Sequence, residues 1–116
     1  MTVPWWLPFG SVPEVAARSL ASEVTSGAGP VLLDVRTPAE FARGHVRGAR
    51  NVPVTALRSA LPGLEIPPGT RVVAICLSAH RSPPAVRLLR AAGHDARQLA
   101  GGMLAWHAAG LPVERA

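Results

Sequence analysis

The stretch from residue 71 to residue 84 constrains the fold more than any other part of the chain. It begins with a short apolar run rich in β-branched residues, continues through a polar segment and ends on two successive prolines. A continuous apolar run of this length is typical of a strand that is covered on both faces. Beyond the prolines, apolar residues recur at helical spacing, at Val86, Leu89 and Ala92. The stretch therefore predicts a buried strand over residues 71–76, a tight loop and a helix, with Ser82 as N-cap and Pro83 at the first helical position.

The single cysteine of the chain, Cys76, falls where this strand is expected to end. A loop that closes onto a helix N-terminus directs several backbone N–H groups into a small concavity, and the helix dipole adds partial positive charge. Arg81 adds a full positive charge. These groups favour the thiolate, which is the nucleophilic form of cysteine, and they would also hold an anion carried on the sulfur. The alternative is a buried cysteine that serves as a small apolar side chain, and the loop and Arg81 favour the nucleophile over it.

Four segments of the chain, in order, resemble the rhodanese-type sulfurtransferase family. Residues 76–82 read C-L-S-A-H-R-S and resemble the active-site loop of that family, C-x-x-G-x-R-S. The other three are LDVRTPAEF at residues 33–41, GHVRGA at 44–49 and LAGGMLAW at 99–106. Ala79 stands where the family pattern has glycine. If the loop needs a positive φ at that position, alanine is strained or the loop is reshaped, which bears on activity more than on fold.

The resemblance implies one rhodanese-like α/β domain over residues 1–116, with residues 1–10 as an N-terminal extension. Its central sheet should be mainly parallel and flanked by helices on both faces, and the alternation of strand and helix patterns along the chain favours the same architecture. The patterns predict strands at residues 31–35, 71–76 and 96–99, a short helix or turn at 38–43, and helices at 54–61, 83–92 and 103–109.

The resemblance also implies a function, that of a thiosulfate sulfurtransferase-like enzyme. Cys76 would take sulfane sulfur from a small anionic donor such as thiosulfate, carry it as a persulfide, and pass it to cyanide, a thiol or a sulfur-acceptor protein. Arg81 would bind the donor, together with the loop residues Leu77, Ser78, Ala79, His80 and Ser82. No metal or organic cofactor is implied.

Polar or glycine-rich turns follow three of the predicted strands. Ligands of open parallel sheets lie outside the carboxyl ends of the strands, so Asp34, Arg36, Gly101 and Gly102 should form the rim of one depression with Cys76 at its floor. For Asp34 and Arg36 the alternative is a buried ion-pair network that orders the loop. Met103 and Trp106 are expected to pack in the core.

Three further expectations concern the scaffold. Ser11 and Glu14 have the spacing of a capping box and predict that the first helix begins there. Glu40 and Arg36 lie four residues apart and are expected to pair. His45 is expected to be a structural hydrogen-bonding residue rather than a general base.

Composition limits the function classes. A chain of 116 residues with a net charge of +5 fits one domain, and all of its basic residues are arginines. They are scattered without interleaved aromatic residues, so we expect no nucleic-acid partner and only a mild attraction for small anions. No apolar run approaches the roughly 20 residues of a membrane span. With one cysteine and no signal-peptide pattern, we expect a cytoplasmic protein without internal disulfides. Trp5 and Trp6 are expected to fold back over an apolar gap rather than to bind a membrane or a partner.

Two other functions remain open from the sequence. Cysteine phosphatases of related folds have five residues between the cysteine and the arginine, whereas four residues separate Cys76 from Arg81. The loop between the cysteine and the arginine is small, so a difference of one residue in its length alters which anion fits inside it. A non-catalytic or regulatory binding module of rhodanese fold is the stronger alternative, since Ala79 departs from the catalytic pattern.

Overall fold

The computed structural model describes residues 11–115, which form a single α/β domain around a five-stranded sheet. In chain order the elements are β1 (Glu14–Val15), α1 (Ala17–Ser26), β2 (Val31–Asp34), α2 (Pro38–Arg43), β3 (Arg50–Asn51), α3 (Val54–Ala60), a 3-10 helix (Leu61–Leu64), β4 (Arg71–Ile75), α4 (Ser82–Ala91), β5 (Asp95–Leu99) and α5 (Gly102–Ala108). Trp5 and Trp6 lie outside the described residues, so the expectation for them stays a prediction. Within residues 11–115 no helix is long and apolar enough to cross a membrane.

The sheet has the strand order β1-β5-β4-β2-β3, and every neighbouring pair is parallel. The predicted fold class is therefore confirmed. The strand β4, which contains the apolar run of the central stretch, lies in the middle of the sheet between β2 and β5. Its last four residues, at 72–75, are buried because helices cover both faces of the sheet, which explains why this part of the sequence is continuously apolar.

Side chains of β4 alternate between two hydrophobic layers. Val73 and Ile75 pack with α1 and α5 on one face, where Met103 and Trp106 are buried as expected. Cys76 lies in the other layer, together with residues of α3 and α4. The register of the central strand therefore points the cysteine side chain toward the start of α4.

The first helix begins later than the capping-box spacing predicts. Glu14 and Val15 form β1 and pair with Gln98 and Leu99 at the edge of the sheet. The helix α1 starts at Ala17, without a side-chain cap. The prediction was wrong because the exposed edge of β5 offers backbone hydrogen-bond partners that the local spacing cannot reveal.

Ser82 is also not the N-cap of α4. It is the first residue of the helix, Arg81 precedes it as the cap, and no side chain caps this end. The Ser82 hydroxyl instead donates to Gln98 Oε1 on β5, at 2.7 Å. At the other end of the helix, Ala92 lies beyond the last turn and is exposed rather than part of the apolar stripe.

The start of α5 packs directly on the chain that leaves β4. Met103 N donates to Cys76 O at 2.8 Å, and Leu104 N donates to Leu77 O at 2.9 Å. Gly102, at φ 60°, lies so close that a Cβ on it would be 2.4 Å from Cys76 O. This contact admits only glycine, and it fixes the beginning of the loop after Cys76.

We predict that Gly102→Ala lowers the free energy of unfolding by at least about 2 kcal/mol, because it adds both an overlap with backbone and a left-handed alanine. Urea denaturation measures the change. Gly63→Ala is the control, since a Cβ at Gly63 meets nothing within 4 Å. A Gly102→Ala protein as stable as the parent would show that the contact between α5 and the loop is not tight.

Candidate active site

Cys76 directly follows β4 and is 1% exposed. Its sulfur lies 3.3 Å from the Ser82 hydroxyl oxygen, across the loop that joins β4 to α4. The cysteine therefore lies between the end of the central strand and the first residue of the helix, as the central stretch predicts.

The intervening loop, residues 77–81, is the most exposed part of this region. Leu77 is 39% exposed, and Ser78 Oγ and His80 Nδ1 are 2.7 Å apart on the surface. Ala79 has a φ of 65°. The loop thus has a positive φ at the position where the family pattern has glycine, and alanine adopts it. The strain of a left-handed alanine is roughly 1–2 kcal/mol, so the departure from glycine is tolerated as strain.

Arg81 is held in a two-pronged ion pair with Glu40. Its two terminal nitrogens donate to the two carboxylate oxygens at 2.6 and 2.8 Å. Hydrogen bonding by Arg81, opposed by partial burial, lowers the pKa of Glu40 from 4.5 to about 2. The same hydrogen bond raises the pKa of Arg81. Arg81 therefore stays charged, and Glu40 of α2 holds it at the end of the loop that begins after Cys76.

The expected pair between Arg36 and Glu40 is not formed. Glu40 is the third residue of α2, where it completes a capping box with Thr37 and turns its carboxylate to Arg81. Arg36 lies before the helix, so the spacing of four residues does not place the two side chains on one helical face.

Asp34 and Arg36 instead form a buried ion pair with each other, with an N–O distance of 2.7 Å. Arg36 also donates to Gly44 O at 2.8 Å, and the Asn51 amide donates to the backbone oxygens of both Asp34 and Arg36. Because Asp34 is fully buried, this network orders the chain after β2 beneath the surface. This is the buried ion-pair network that the sequence left open for Asp34 and Arg36, and Arg36 in addition lines the groove beside Leu77.

Gly101 and Gly102 differ in their surroundings. Gly101 is exposed, while Gly102 is buried against the loop carbonyl groups. A shallow groove of about 240 Å³ runs beside Leu77, and Arg36, Glu40, Arg43, Gly44 and His107 complete its lining. A larger groove of about 890 Å³ lies away from the cysteine, between α1 and Trp106.

His45 makes the structural contacts expected of it. Its ring stacks on Phe41 with centroids 3.7 Å apart, and its Nδ1 lies 2.9 Å from Phe41 O. Its backbone also forms a bridge with Glu114. These contacts join α2 to the end of the described chain.

Sequence reasoning missed Gln98 and Glu14, which extend the polar contacts of Ser82. Gln98 Nε2 donates to Glu14 Oε2 at 3.2 Å, across the β1–β5 pair. The sequence had only predicted a short strand at residues 96–99, which gave Gln98 no role of its own. The role of Glu14 carried no local signal.

The chain belongs to the rhodanese-like domain family, which matches residues 16–109. It is 34% identical over 103 residues to a sulfurtransferase of Allochromatium vinosum, covering 88% of this chain and 94% of that protein. It is 41% identical over 104 residues to an HTH-type transcriptional regulator of Mycobacterium tuberculosis, covering 87% of this chain but only 42% of the regulator. Among solved structures, a rhodanese-related protein from Thermoplasma volcanium superposes with a TM-score of 0.79 at 26% identity, covering 89% of this chain and 98% of that one.

The Glu40–Arg81 pair predicts a pH-dependent stability. Since the folded-state pKa of Glu40 lies below its usual value, the pair stabilises the fold fully above about pH 4.5, and this contribution falls as the pH drops toward 2. Glu40→Gln should therefore cost on the order of 1 kcal/mol at pH 7 and less at pH 3. Glutamine preserves the capping box, so the difference isolates the charge. Urea denaturation at both pH values measures it.

Glu23→Gln, which removes an exposed ion pair with Arg71, is the control for this comparison. We expect it to cost less than about 1 kcal/mol. Equal costs of Glu40→Gln at pH 7 and pH 3 would contradict the pH dependence assigned to the Glu40–Arg81 pair.

Proposed function

We propose that this protein is a sulfurtransferase that carries sulfane sulfur as a persulfide on Cys76. The observation that carries the proposal is the position of the Cys76 sulfur at the carboxyl end of the central strand, 3.3 Å from the first residue of α4. In open parallel sheets this is where ligands bind. The 34% identity to a sulfurtransferase over nearly its whole length supports the same reaction class.

The proposed reaction has two halves. In the first, the Cys76 thiolate attacks the outer sulfur of thiosulfate, a new S–S bond forms, and the S–S bond of thiosulfate breaks so that sulfite leaves with the electron pair. In the second, an acceptor such as cyanide attacks the terminal sulfur, thiocyanate leaves and the thiolate is regenerated. In the cell, a thiol or a sulfur-acceptor protein would take the place of cyanide. Because the chain has one cysteine, the acceptor must come from outside it.

The loop provides the groups that this chemistry needs. Backbone N–H groups from Leu77 to Ser82 would stabilise the persulfide anion, as preorganised donors do for developing negative charge. Arg81 would attract the anionic donor, and exposed His80 would line the entrance. The ion pair with Glu40 offsets part of the charge of Arg81. We therefore expect Arg81 to act more by holding the loop than by binding thiosulfate tightly.

Phosphatase activity is disfavoured by the size of the loop. Four residues lie between Cys76 and Arg81, which leaves a smaller ring than the five of the phosphatase pattern. The residue at the position of the phosphatase arginine is Ser82, and its hydroxyl is committed to Gln98. A terminal sulfur atom fits a small ring better than a phosphate group does.

A regulatory binding module is the second candidate, and three observations favour it. Cys76 is 1% exposed and Arg81 already has an anionic partner, Glu40. In addition, the similar protein of Mycobacterium tuberculosis is a transcriptional regulator, of which this chain spans 42%. A module of this kind would need no sulfur chemistry, so the two functions differ in one measurable event, the transfer of sulfur to Cys76.

The cellular location of the protein also stays a prediction. A cytoplasmic location would keep Cys76 reduced.

We predict that incubation with thiosulfate adds one sulfur atom to the protein and that cyanide removes it as thiocyanate. Intact-protein mass spectrometry and thiocyanate release measure the two steps. Cys76→Ser should abolish both, because the hydroxyl is a far weaker nucleophile than the thiolate at neutral pH.

Sulfite, which has no sulfane sulfur, is the control donor and should leave the mass of the parent protein unchanged. Thiocyanate production by Cys76→Ser at the parent rate would contradict the role of Cys76. No adduct on the folded parent protein with thiosulfate would favour the regulatory module.

A further inference from the structure

A chain of hydrogen bonds runs from Cys76 to the exposed edge of the sheet. The Cys76 sulfur lies 3.3 Å from Ser82 Oγ, Ser82 Oγ lies 2.7 Å from Gln98 Oε1, and Gln98 Nε2 lies 3.2 Å from Glu14 Oε2. Ser82 is fully buried and Gln98 is 8% exposed, whereas Glu14 is exposed. The mechanism proposed above makes no use of this chain beyond Ser82.

The charge of Glu14 fixes the direction of every bond in the chain. A carboxylate can only accept hydrogen bonds, so the amide nitrogen of Gln98 must face Glu14. The amide oxygen of Gln98 then faces Ser82 and takes the single proton of its hydroxyl. Ser82 therefore presents a lone pair to Cys76, so that the S–H group donates the bond at 3.3 Å when Cys76 is a thiol.

This direction opposes ionisation of the sulfur. When the thiol proton leaves to solvent, the lone pair of Ser82 lies against the new negative charge of the sulfur, whatever the loop N–H groups and Arg81 contribute. Ser82 can donate to the thiolate only if its hydroxyl rotates its proton from Gln98 Oε1 to the sulfur. The buried amide oxygen of Gln98 would then lack a donor, which carries a free-energy cost. The alternative is that the amide of Gln98 turns over, so that its nitrogen donates to Ser82. Its oxygen then faces the carboxylate of Glu14, and the two acceptors repel each other.

We propose that Gln98 and Glu14 are positioning residues that set the direction of the Ser82 hydroxyl and thereby hold the resting Cys76 sulfur as a thiol. The proposal rests on the proposed function in giving Cys76 a catalytic role. The thiolate and the persulfide gain the Ser82 hydroxyl as a further donor, beside the loop N–H groups, only when the chain is reversed. The chain can be reversed at its exposed end. When the Glu14 carboxylate turns into solvent, water hydrates it, and it no longer repels the oxygen of a turned Gln98 amide.

The experiment measures alkylation of Cys76 by iodoacetamide, a neutral reagent, at pH 7. In Glu14→Gln the new amide can donate to or accept from Gln98, so both directions of the chain become available. We expect alkylation on the order of fivefold faster than in the parent, the size of one net hydrogen bond. At a pH where the thiol is fully ionised, the two proteins should react at the same rate.

Glu23→Gln is the control of matched charge, since Glu23 pairs with Arg71 at the opposite end of the central strand. It should leave the alkylation rate unchanged. Gln98→Met, which keeps the approximate shape of the side chain and removes both hydrogen bonds, should accelerate alkylation in the same way as Glu14→Gln. Near-ultraviolet circular dichroism checks that its core is intact.

Glu14→Gln removes a negative charge, which by itself favours the thiolate of Cys76. A double-mutant cycle separates this electrostatic effect from an effect that passes through the hydrogen bonds. If the effect of Glu14 passes through the hydroxyl, Glu14→Gln will accelerate alkylation in the parent but not in the Ser82→Ala background. An equal acceleration in both backgrounds, or none in the parent background, would overturn the proposal.

Alkylation requires no sulfur donor, so this result is independent of the proposed function. If no thiosulfate adduct forms but the Ser82-dependent effect is observed, the proposal on the hydrogen-bond chain stands and the proposed sulfurtransferase function is rejected. If the adduct forms but the Ser82-dependent effect on alkylation is absent, the sulfurtransferase function stands and the proposal on the hydrogen-bond chain is rejected.

Discussion

The contact between the first turn of α5 and the chain leaving β4 is the constraint on which the site depends. The carbonyl groups of Cys76 and Leu77 have left the sheet ladder, and the first N–H groups of a helix have no partner within the helix. The two sets satisfy each other through Met103 and Leu104. Only a glycine at position 102 allows the backbones to come this close. The contact between α5 and the backbone of Cys76 and Leu77 thus fixes the position of the cysteine and also holds Met103 in the core.

Two more long-range contacts complete the loop. Glu40, from α2, holds Arg81 at the far end of the loop through a two-pronged ion pair. Gln98, from β5, holds the Ser82 hydroxyl under the sulfur. The loop itself is short and includes a strained alanine at φ 65°. Its conformation is therefore imposed by its neighbours, which is how strain persists in ordered sites.

The sequence predicted those features whose causes are local. The apolar run of the central strand, the helix that begins around the two prolines and the glycine turn before α5 each follow from neighbouring residues, and the structure contains them all. The parallel sheet followed from the alternation of such patterns. The buried ion pair of Asp34 and Arg36 is one of the two arrangements that the sequence left open for these residues.

The errors share one physical origin, which is competition from distant parts of the chain. The Ser11–Glu14 spacing suits a helix start, but Glu14 and Val15 are taken up by the edge of β5. Ser82 suits an N-cap, but Gln98, 16 residues away, takes its proton. Glu40 lies four residues from Arg36 and 41 from Arg81, yet it pairs with Arg81. Patterns of neighbouring residues cannot reveal partners that lie so far apart along the sequence.

The most direct test of the central claim is a crystal structure of the protein after treatment with thiosulfate. The claim is that the loop, held by α5, Glu40 and Gln98, is the site of a Cys76 persulfide. It predicts a second sulfur atom bonded to Cys76 Sγ, enclosed by residues 77–82 at hydrogen-bonding distance from their N–H groups, with the loop still attached to α5. A terminal sulfur that points away from these N–H groups, or a loop detached from α5, would contradict it.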